Sequence, residues 1–444
     1  MAVESPATMS SAEIVALNRA HTFFSWSVQG ALDPIAIDHA EGVYLYTPEG
    51  RRILDFNSQL MSVNIGHGDR RVIDAITEQA MKLQYVQPAF ATEIRGRLGK
   101  KLAEIMPGDL DKVFFTLGGA EAIENAIKLA RHHTGRYKVL ARYRAYHGAT
   151  FGAMTLTGDP RRWANEPGLV GVVRYPDTHR YGEAEPRPAA ESLEGLEDVV
   201  RYEGPHTIAA IFLETIVGTN GILIPPDGYL QGVREICDRY GILMVADEVM
   251  AGFGRTGKWF AVDHWNVVPD LMTMAKGLTS SYLPLGAVAM RHGIAEAFES
   301  KMFFGGLTYS SHPVSLAAAL ATIRVYEEDD LVGNAARLGP VMQAHHERLA
   351  AKHPSVGAHR SLGLFGILDL VRSRDPWTPL TPFNGTSDEM KAIGKCLREH
   401  GVYAMLANNS IHTNPPLCIT EEQLAEGFEV IDAALDIADR AVTG

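Results

Sequence analysis

The sequence predicts an α/β protein with a mainly parallel sheet covered by helices and a second, smaller α+β part. Three observations lead there. Short β-branched or aromatic runs alternate with helix-period segments through the middle of the chain, the pattern of successive βαβ units. Forty-two glycines among 444 residues suit a fold rich in tight turns. Polar, potentially reactive residues stand directly after several apolar runs, where open α/β sheets bind their ligands.

The elements follow in chain order. Gly42-Val43-Tyr44-Leu45-Tyr46 and then Pro48-Glu49-Gly50 predict a hairpin in an N-terminal arm. Val113-Phe114-Phe115 reads as a strand, and from Glu121 to Arg131 the residues Ile123, Ala126, Ile127 and Ala130 fall at helical spacing. The segment from Tyr175 to Gly195, rich in Pro, Glu and Gly, reads as a surface excursion. Ile208 to Leu213 is a further strand. Tyr229, Val233, Ile236, Cys237 and Tyr240 then share a helical face, and Gly241 supplies the stop. Ile242 to Ala246 is a buried-strand run ending in Asp247-Glu248, and Leu271 to Ala275 is another that runs into Lys276-Gly277. Beyond Pro313 the pattern is mostly helical, clearest over Ser315 to Glu328 and Glu421 to Ala441, with a short strand pattern from Gly363 to Leu370. These elements place a large α/β/α domain at residues 66–310. A smaller α+β domain is expected from the two chain ends, residues 1–65 and 311–444.

Composition narrows the function classes. Forty-one Lys and Arg against fifty-three Asp and Glu give a net charge of −12, which argues against a generally basic nucleic-acid-binding surface. The longest apolar candidate, Ile208 to Val217, is broken by Glu214 and falls short of the ~18 residues of a spanning helix. Met-Ala-Val-Glu-Ser-Pro at the start lacks the basic and apolar regions of a secretion signal. Cys237, Cys396 and Cys418 form neither a disulfide framework nor a metal-spaced cluster. A cytoplasmic globular protein with no metal site is expected.

Three strand ends carry chemistry. At Gly118-Gly119-Ala120-Glu121 the backbone of a helix N-terminus is open to a phosphate, though an ordinary βα turn has the same residues. Asp247, half buried, needs a partner to stay charged, which a protonated heterocycle nitrogen or a structural ion pair supplies. Lys276 emerges from an apolar strand, where burial lowers an amine pKa as Schiff-base chemistry requires; a buried stem with a solvated head fits the position equally well. Taken together, a phosphate turn, a carboxylate for a ring nitrogen and a lysine for an aldehyde are three handles of pyridoxal 5'-phosphate. Tyr146, in Tyr146-His147-Gly148, is placed to stack on such a ring, or else to pack in the core. A competing signal, Gly252-Phe253-Gly254-Arg255-Thr256-Gly257, matches a dinucleotide fingerprint, but Lys258 to Trp265 shows no helix entry.

At these residues the chain resembles the class III (omega-) aminotransferases, pyridoxal-phosphate enzymes of fold type I. The resemblance runs from Asp55-Phe56-Asn57-Ser58-Gln59-Leu60 to Pro415-Pro416-Leu417-Cys418-Ile419-Thr420. Its most specific stretch is Leu243 to Gly257 followed by Pro269-Asp270 and Ala275-Lys276-Gly277. The resemblance implies that Lys276 is the Schiff-base lysine and proton shuttle, that Asp247 pairs with the ring nitrogen, and that Glu214, the third catalytic residue, lies near the cofactor and helps position Asp247 or the ring hydroxyl. It implies Val249 on the ring face opposite Tyr146, Gly119 and Ala120 on the phosphate, and His147 among the cofactor contacts. Thr308 would reach the phosphate of a neighbouring subunit, which implies a homodimer with shared sites; pairing of dimers stays open. The implied substrates are a small-molecule amine donor, from amines to omega- or beta-amino acids, and a keto-acid acceptor such as pyruvate, exchanged by ping-pong kinetics.

Two departures bear on this reading. The family's phosphate turn commonly reads Ser-Gly-Ser-Glu-Ala, whereas here it is Gly118-Gly119-Ala120-Glu121-Ala122; each lost hydroxyl bond is worth about 0.5–1.5 kcal/mol. The carboxylate-clamping arginine found before Pro-Pro-Leu in many relatives is missing from Tyr403 to Ser410. Arg142, Arg144, Asn408 or Asn409 could replace it, or the substrate carries no carboxylate there. Met61 stands where relatives often have tryptophan, and Trp26 and Phe90 resemble pocket-lining aromatics. Two other functions remain open: another pyridoxal-phosphate reaction, such as an aminomutase or decarboxylation-coupled transamination, and a nucleotide-dependent oxidoreductase built on Gly252 to Gly257.

Overall fold

The computed structural model describes residues 9–180, 183 and 185–443. The initial Met-Ala-Val-Glu-Ser-Pro and positions 181, 182 and 184 of the expected surface excursion lie outside them. Seven strands form the central sheet: β1 (Leu110–Thr116), β2 (Lys138–Arg142), β3 (Val172–Tyr175), β4 (Ile208–Glu214), β5 (Leu243–Asp247), β6 (Leu271–Met274) and β7 (Gly286–Arg291). Their order is β1-β7-β6-β5-β4-β2-β3. Only β7 runs against its neighbours; β6, β5, β4, β2 and β3 are parallel in succession.

Side-chain alternation decides what covers each face. In β4, Ala210 and Phe212 join one apolar cluster with the Gly119–Thr134 helix. Ile211 and Leu213 point the other way, onto Leu230, Val233 and Ile236 of the Tyr229–Tyr240 helix. Every residue of β4 is buried, as expected for a parallel strand covered on both faces. Gly241 ends the Tyr229–Tyr240 helix at φ +61°, a left-handed position that the sequence marks by its glycine.

Elsewhere the elements shift. The helix expected from Glu121 begins at Gly119, and the Tyr175 to Gly195 excursion is shortened, because Ala189–Glu203 is helical. The last third holds more sheet than its pattern suggests. Val356–Leu362, Phe365–Arg374, Trp377–Pro379, Leu406–Ala407 and Ser410–Thr413 form a five-stranded antiparallel sheet, and Gly363 at φ +59° is its hairpin turn, not part of a strand. Val356–Leu362 escaped detection because most of it is half exposed and polar.

The N-terminal arm folds as expected into antiparallel strands, His39–Glu41, Tyr44–Tyr46 and Arg52–Asp55. Val402–Tyr403 extends this sheet in parallel, and the Tyr44 hydroxyl and Arg52 both reach Glu426, at 2.9 and 2.8 Å. Both chain ends therefore share one small sheet. Among the described residues no helix is long and apolar enough to cross a membrane.

The Gly252 to Gly257 stretch opens no helix. It winds through turns to a short 3-10 segment, Ala261–His264. Arg255 within it is fully buried and donates to the carbonyls of Leu364 and Pro415, to Ser58 Oγ and to Asn64 Oδ1. Gly257, at φ +85°, lies so near Ala336 that an added Cβ would fall 2.9 Å from its Cα. These residues pin the arm, the central sheet and the C-terminal part together, and the dinucleotide reading loses its structural basis.

Candidate active site

The candidate residues converge where the parallel strands end. Gly118 follows β1, Tyr146 and His147 lie four and five residues beyond β2, Glu214 and Asp247 are the last residues of β4 and β5, and Lys276 stands two residues past β6. The sheet register sets Glu214 directly beside Asp247, and Asp247 beside Thr273. Strand pairing alone therefore brings two carboxylates and the lysine to one edge.

Each carboxylate is held by specific donors. Asp247, 5% exposed, has His147 Nδ1 2.8 Å from Oδ2, and its Oδ1 accepts the Val249 N–H at 3.0 Å. His147 is itself buried behind Asp247, with Nε2 lacking a partner among the described residues. Glu214 accepts the Tyr146 N–H at 2.9 Å on Oε1 and the Gly218 N–H at 2.8 Å on Oε2, so it ties the Tyr146 turn to β4. Burial raises the Glu214 pKa, against the attraction of His147. The Lys276 pKa is lowered by burial, against the pull of Asp247 and Glu214. Lys276 is also held at φ +46°, a left-handed backbone uncommon for a side-chain-bearing residue and a form of strain that clusters at functional positions.

The turn after β1 fits a phosphate. The Gly119–Thr134 helix starts with no side-chain cap, so its first amides are open, while Glu121 Oε2 closes the turn onto the Leu117 N–H at 2.9 Å. A Cβ on Gly119 would come within 2.9 Å of Val249 Cγ1, and one on Gly148 within 2.5 Å of Ala120 Cβ. The glycines thus keep space between the helix start, Val249 and the Tyr146-His147-Gly148 turn. An uncapped helix end, a buried Asp–His pair and a half-buried lysine beside them suit the phosphate, ring nitrogen and aldehyde of pyridoxal phosphate.

The outer residues fall into two groups. Trp26 packs edge-on against Tyr146, ring centres 5.6 Å apart, and so joins the site. Thr308 is exposed, on a segment tied through its carbonyl to the Tyr85 hydroxyl at 2.8 Å, and Phe90 is exposed as well. Met61, at φ +53°, turns into the apolar cluster shared with Phe365 and Ile367 and is 1% exposed, which leaves it no open surface toward a pocket in this chain.

The candidate carboxylate holders need correction. Arg142 is fully buried, bonded to the Glu214 carbonyl and 3.8 Å from Asp177, and it cannot meet a substrate. Arg144, Asn408 and Asn409 line a neighbouring cavity of about 240 Å³ whose wall does not include Lys276; Arg144 donates to the Asn220 carbonyl and Asn409 to that of Leu370. The arginine that does enter the site is Arg161, which sequence reasoning missed. Its guanidinium lies 3.8 Å from the Tyr146 ring centre and 5.0 Å from that of Trp26. It follows no strand; its only local signal is Asp159-Pro160, which starts the short 3-10 segment Pro160–Asn165.

Comparison with known proteins agrees with this geometry. Residues 27–435 match the family model of class-III aminotransferases. The chain is 36% identical over 426 residues to the omega-aminotransferase of Caulobacter vibrioides, covering 91% of this chain and 94% of that protein. It is 34% identical over 427 residues to the putrescine–pyruvate aminotransferase of Pseudomonas aeruginosa, covering 91% of each. Among solved structures, the taurine:2-oxoglutarate aminotransferase of Bifidobacterium kashiwanohense, in complex with pyridoxal phosphate and glutamate, superposes with a TM-score of 0.95. Identity there is 38%, over 98% of this chain and 99% of that one. The chain belongs to the class-III aminotransferase family. It is a pyridoxal-phosphate-dependent transaminase of fold type I, and it transfers amino groups.

Proposed function

We propose that this aminotransferase takes its amino group from a primary amine or an omega- or beta-amino acid, with Lys276 as the Schiff-base lysine. The observation that carries the assignment is the gathering of Lys276, the Asp247–His147 pair and Glu214 at adjacent strand ends beside an uncapped helix N-terminus. Pyridoxal phosphate, when bound, supplies an aldehyde for the amine and a ring that takes up the electrons left when the substrate carbon loses its proton. Gly119 and Ala120 offer their N–H groups to the phosphate. Asp247, held by His147 and the Val249 amide, would face the ring nitrogen, and Val249 and Tyr146 would bracket the ring. Glu214 acts as a positioning residue by holding the backbone of Tyr146. Burial lets Lys276 Nζ give up its proton more readily than an exposed lysine, so the freed amine can carry a proton to and from the substrate carbon.

The reading includes a homodimer in the cytoplasm and a division into residues 66–310 and the two chain ends. What supports the dimer is exposed apolar surface at Met302, Phe304 and Tyr309, close in sequence to the exposed Thr308, and at Met81 and Phe90. In a dimer, Thr308 and Phe90 would complete the partner's site. The test is an absorption spectrum of the protein supplied with pyridoxal phosphate, before and after a panel of amines. A band at roughly 410–430 nm that one amine class shifts to ~330 nm is expected. A protein that stays colourless, or a Lys276→Ala variant with the same band, overturns the assignment.

A further inference from the structure

We infer that Glu248, clamped by Thr215, is a positioning residue that aims Asp247 at the cofactor's ring nitrogen and keeps Glu214 in register beside it. This rests on the proposed role of Asp247 and adds the device that fixes its direction. Glu248 is the second half of the Asp247-Glu248 doublet, and no step assigned above uses it.

The arrangement follows from strand alternation. β4 and β5 run in parallel with Glu214 directly beside Asp247, and the next residue along each strand turns to the opposite side of the sheet. Those next residues, Thr215 and Glu248, are bonded to each other, with Thr215 Oγ1 donating to Glu248 Oε1 at 2.6 Å. One side of the two strand ends thus carries the reacting carboxylates, and the other carries a cross-link between their chain neighbours. The rest of Glu248 is held as well. Its Oε2 accepts the Ala261 N–H and its Oε1 the Val262 N–H, each at 2.9 Å. Its own N–H donates to the Thr273 carbonyl of β6 at 3.0 Å, and its carbonyl accepts the Gly252 N–H at 3.0 Å. A Cβ on Gly252 would fall 2.7 Å from that carbonyl oxygen, so only glycine admits the contact. Asp247 therefore cannot rotate at its strand end without breaking bonds made by Glu248 through both backbone and side chain.

Capping a short 3-10 turn does not require such a group. Glu248 and Thr215 are both fully buried, and among the described residues no cation pairs with the carboxyl. Burial pushes its pKa up to about 7, against the pull of its three donors. A carboxyl buried without a cation costs stability, and a short hydroxyl or amide side chain caps a helical turn at less cost. What Glu248 adds is reach in two directions. It accepts from the end of β4 and from the Ala261–Val262 turn at once, and so braces the end of β5 from both sides.

The test uses the ring nitrogen as its reporter. Wild type, Glu248→Gln, Thr215→Val and Thr215→Ser are each loaded with pyridoxal phosphate or with its N-methyl derivative, whose ring nitrogen is permanently charged and needs no carboxylate beside it. With pyridoxal phosphate, the limiting rate of the amine half-reaction in stopped flow falls about 10- to 100-fold in Glu248→Gln and Thr215→Val, the range for a misplaced reacting group. Half-saturation by the amine is unchanged, because both residues are buried behind the carboxylates. With the N-methyl derivative, each variant stays within about threefold of wild type carrying the same derivative. The pH midpoint of the Lys276-dependent visible band rises in the two variants with pyridoxal phosphate alone, because a ring nitrogen that loses its proton draws fewer electrons from the Schiff base. Thr215→Ser keeps the hydroxyl and behaves as wild type. Thr215→Val leaves the Ala261 and Val262 contacts in place and carries the test if the glutamine variant misfolds. Equal slowing with both cofactors would show a merely structural role and overturn the inference, as would unchanged rates and midpoints. Asp247→Ala is the control: slowing that the N-methyl derivative does not relieve there places the failure in the Asp247 reading, and this inference falls with it.

Discussion

Acidification should destabilise this protein through three histidines the fold buries in neutral form. Desolvation pulls His346 down to about 3 and His179 and His412 each to about 4, from 6.5. All three are 3% exposed or less. The sign follows from linkage. Between the depressed folded pKa and 6.5 the unfolded chain binds a proton that the folded chain refuses, so stability rises with pH across that window and falls on acidification. At pH 7.5 neither state is appreciably protonated at these sites. At pH 5 each unfolded histidine gains about 2 kcal/mol from its proton, and the three together withdraw about 6 kcal/mol, at ~1.4 kcal/mol per pH unit per site.

Other groups titrate in the same range, so the assay is a difference. Urea unfolding at fixed protein concentration, from pH 7.5 to 5, is run for wild type and for His346→Leu. His346 is the cleanest choice because its one hydrogen bond, Nε2 to Thr413 Oγ1 at 3.0 Å, is neutral. The variant loses some stability at pH 7.5, but the further loss on going to pH 5 should be about 2 kcal/mol smaller than in wild type, the difference in slope approaching ~1.4 kcal/mol per unit only below about pH 6. Parallel slopes would refute the claim that His346 is buried unprotonated.

Further substitutions probe the supports of the site. Glu214→Gln places an amide where two backbone N–H groups expect acceptors, and should lower stability by about 1–3 kcal/mol and slow the amine half-reaction in stopped flow. A variant equal to wild type in both would show that Glu214 does not position Tyr146. Arg255→Met strips four acceptors of their shared donor and should destabilise by about 3–5 kcal/mol in denaturant titration; a loss under 1 kcal/mol would mean that the guanidinium is not the pin between arm and core.

How far the site was legible depends on how each residue is delivered. Lys276, Asp247, Glu214 and the Gly119 turn end strands whose apolar runs are plain in the sequence, so topology alone predicts that they meet. His147 could be placed near the site, but its burial behind Asp247 depends on a turn whose path no local pattern encodes. Arg142 misled because it also ends a strand, yet its side chain turns to the buried Asp177 side of the sheet. Arg161 was invisible for the opposite reason: an Asp-capped 3-10 turn delivers it, and its stacking on Tyr146 and Trp26 joins segments more than a hundred residues apart. Met61 carried a family position but not the conformation that turns it inward. In the fold, the half-exposed polar strand Val356–Leu362 lacked the alternation that makes a strand readable.

The central claim is that Lys276 is the residue that binds the cofactor covalently. Its most direct test is borohydride reduction of the purified protein supplied with pyridoxal phosphate, followed by proteolysis and mass mapping of the reduced adduct. The account predicts one pyridoxyl group per chain, on Lys276, and none when an excess of amine donor has first converted the cofactor. Stoichiometric label on another lysine, or a Lys276→Ala protein that labels as fully as wild type, would contradict it.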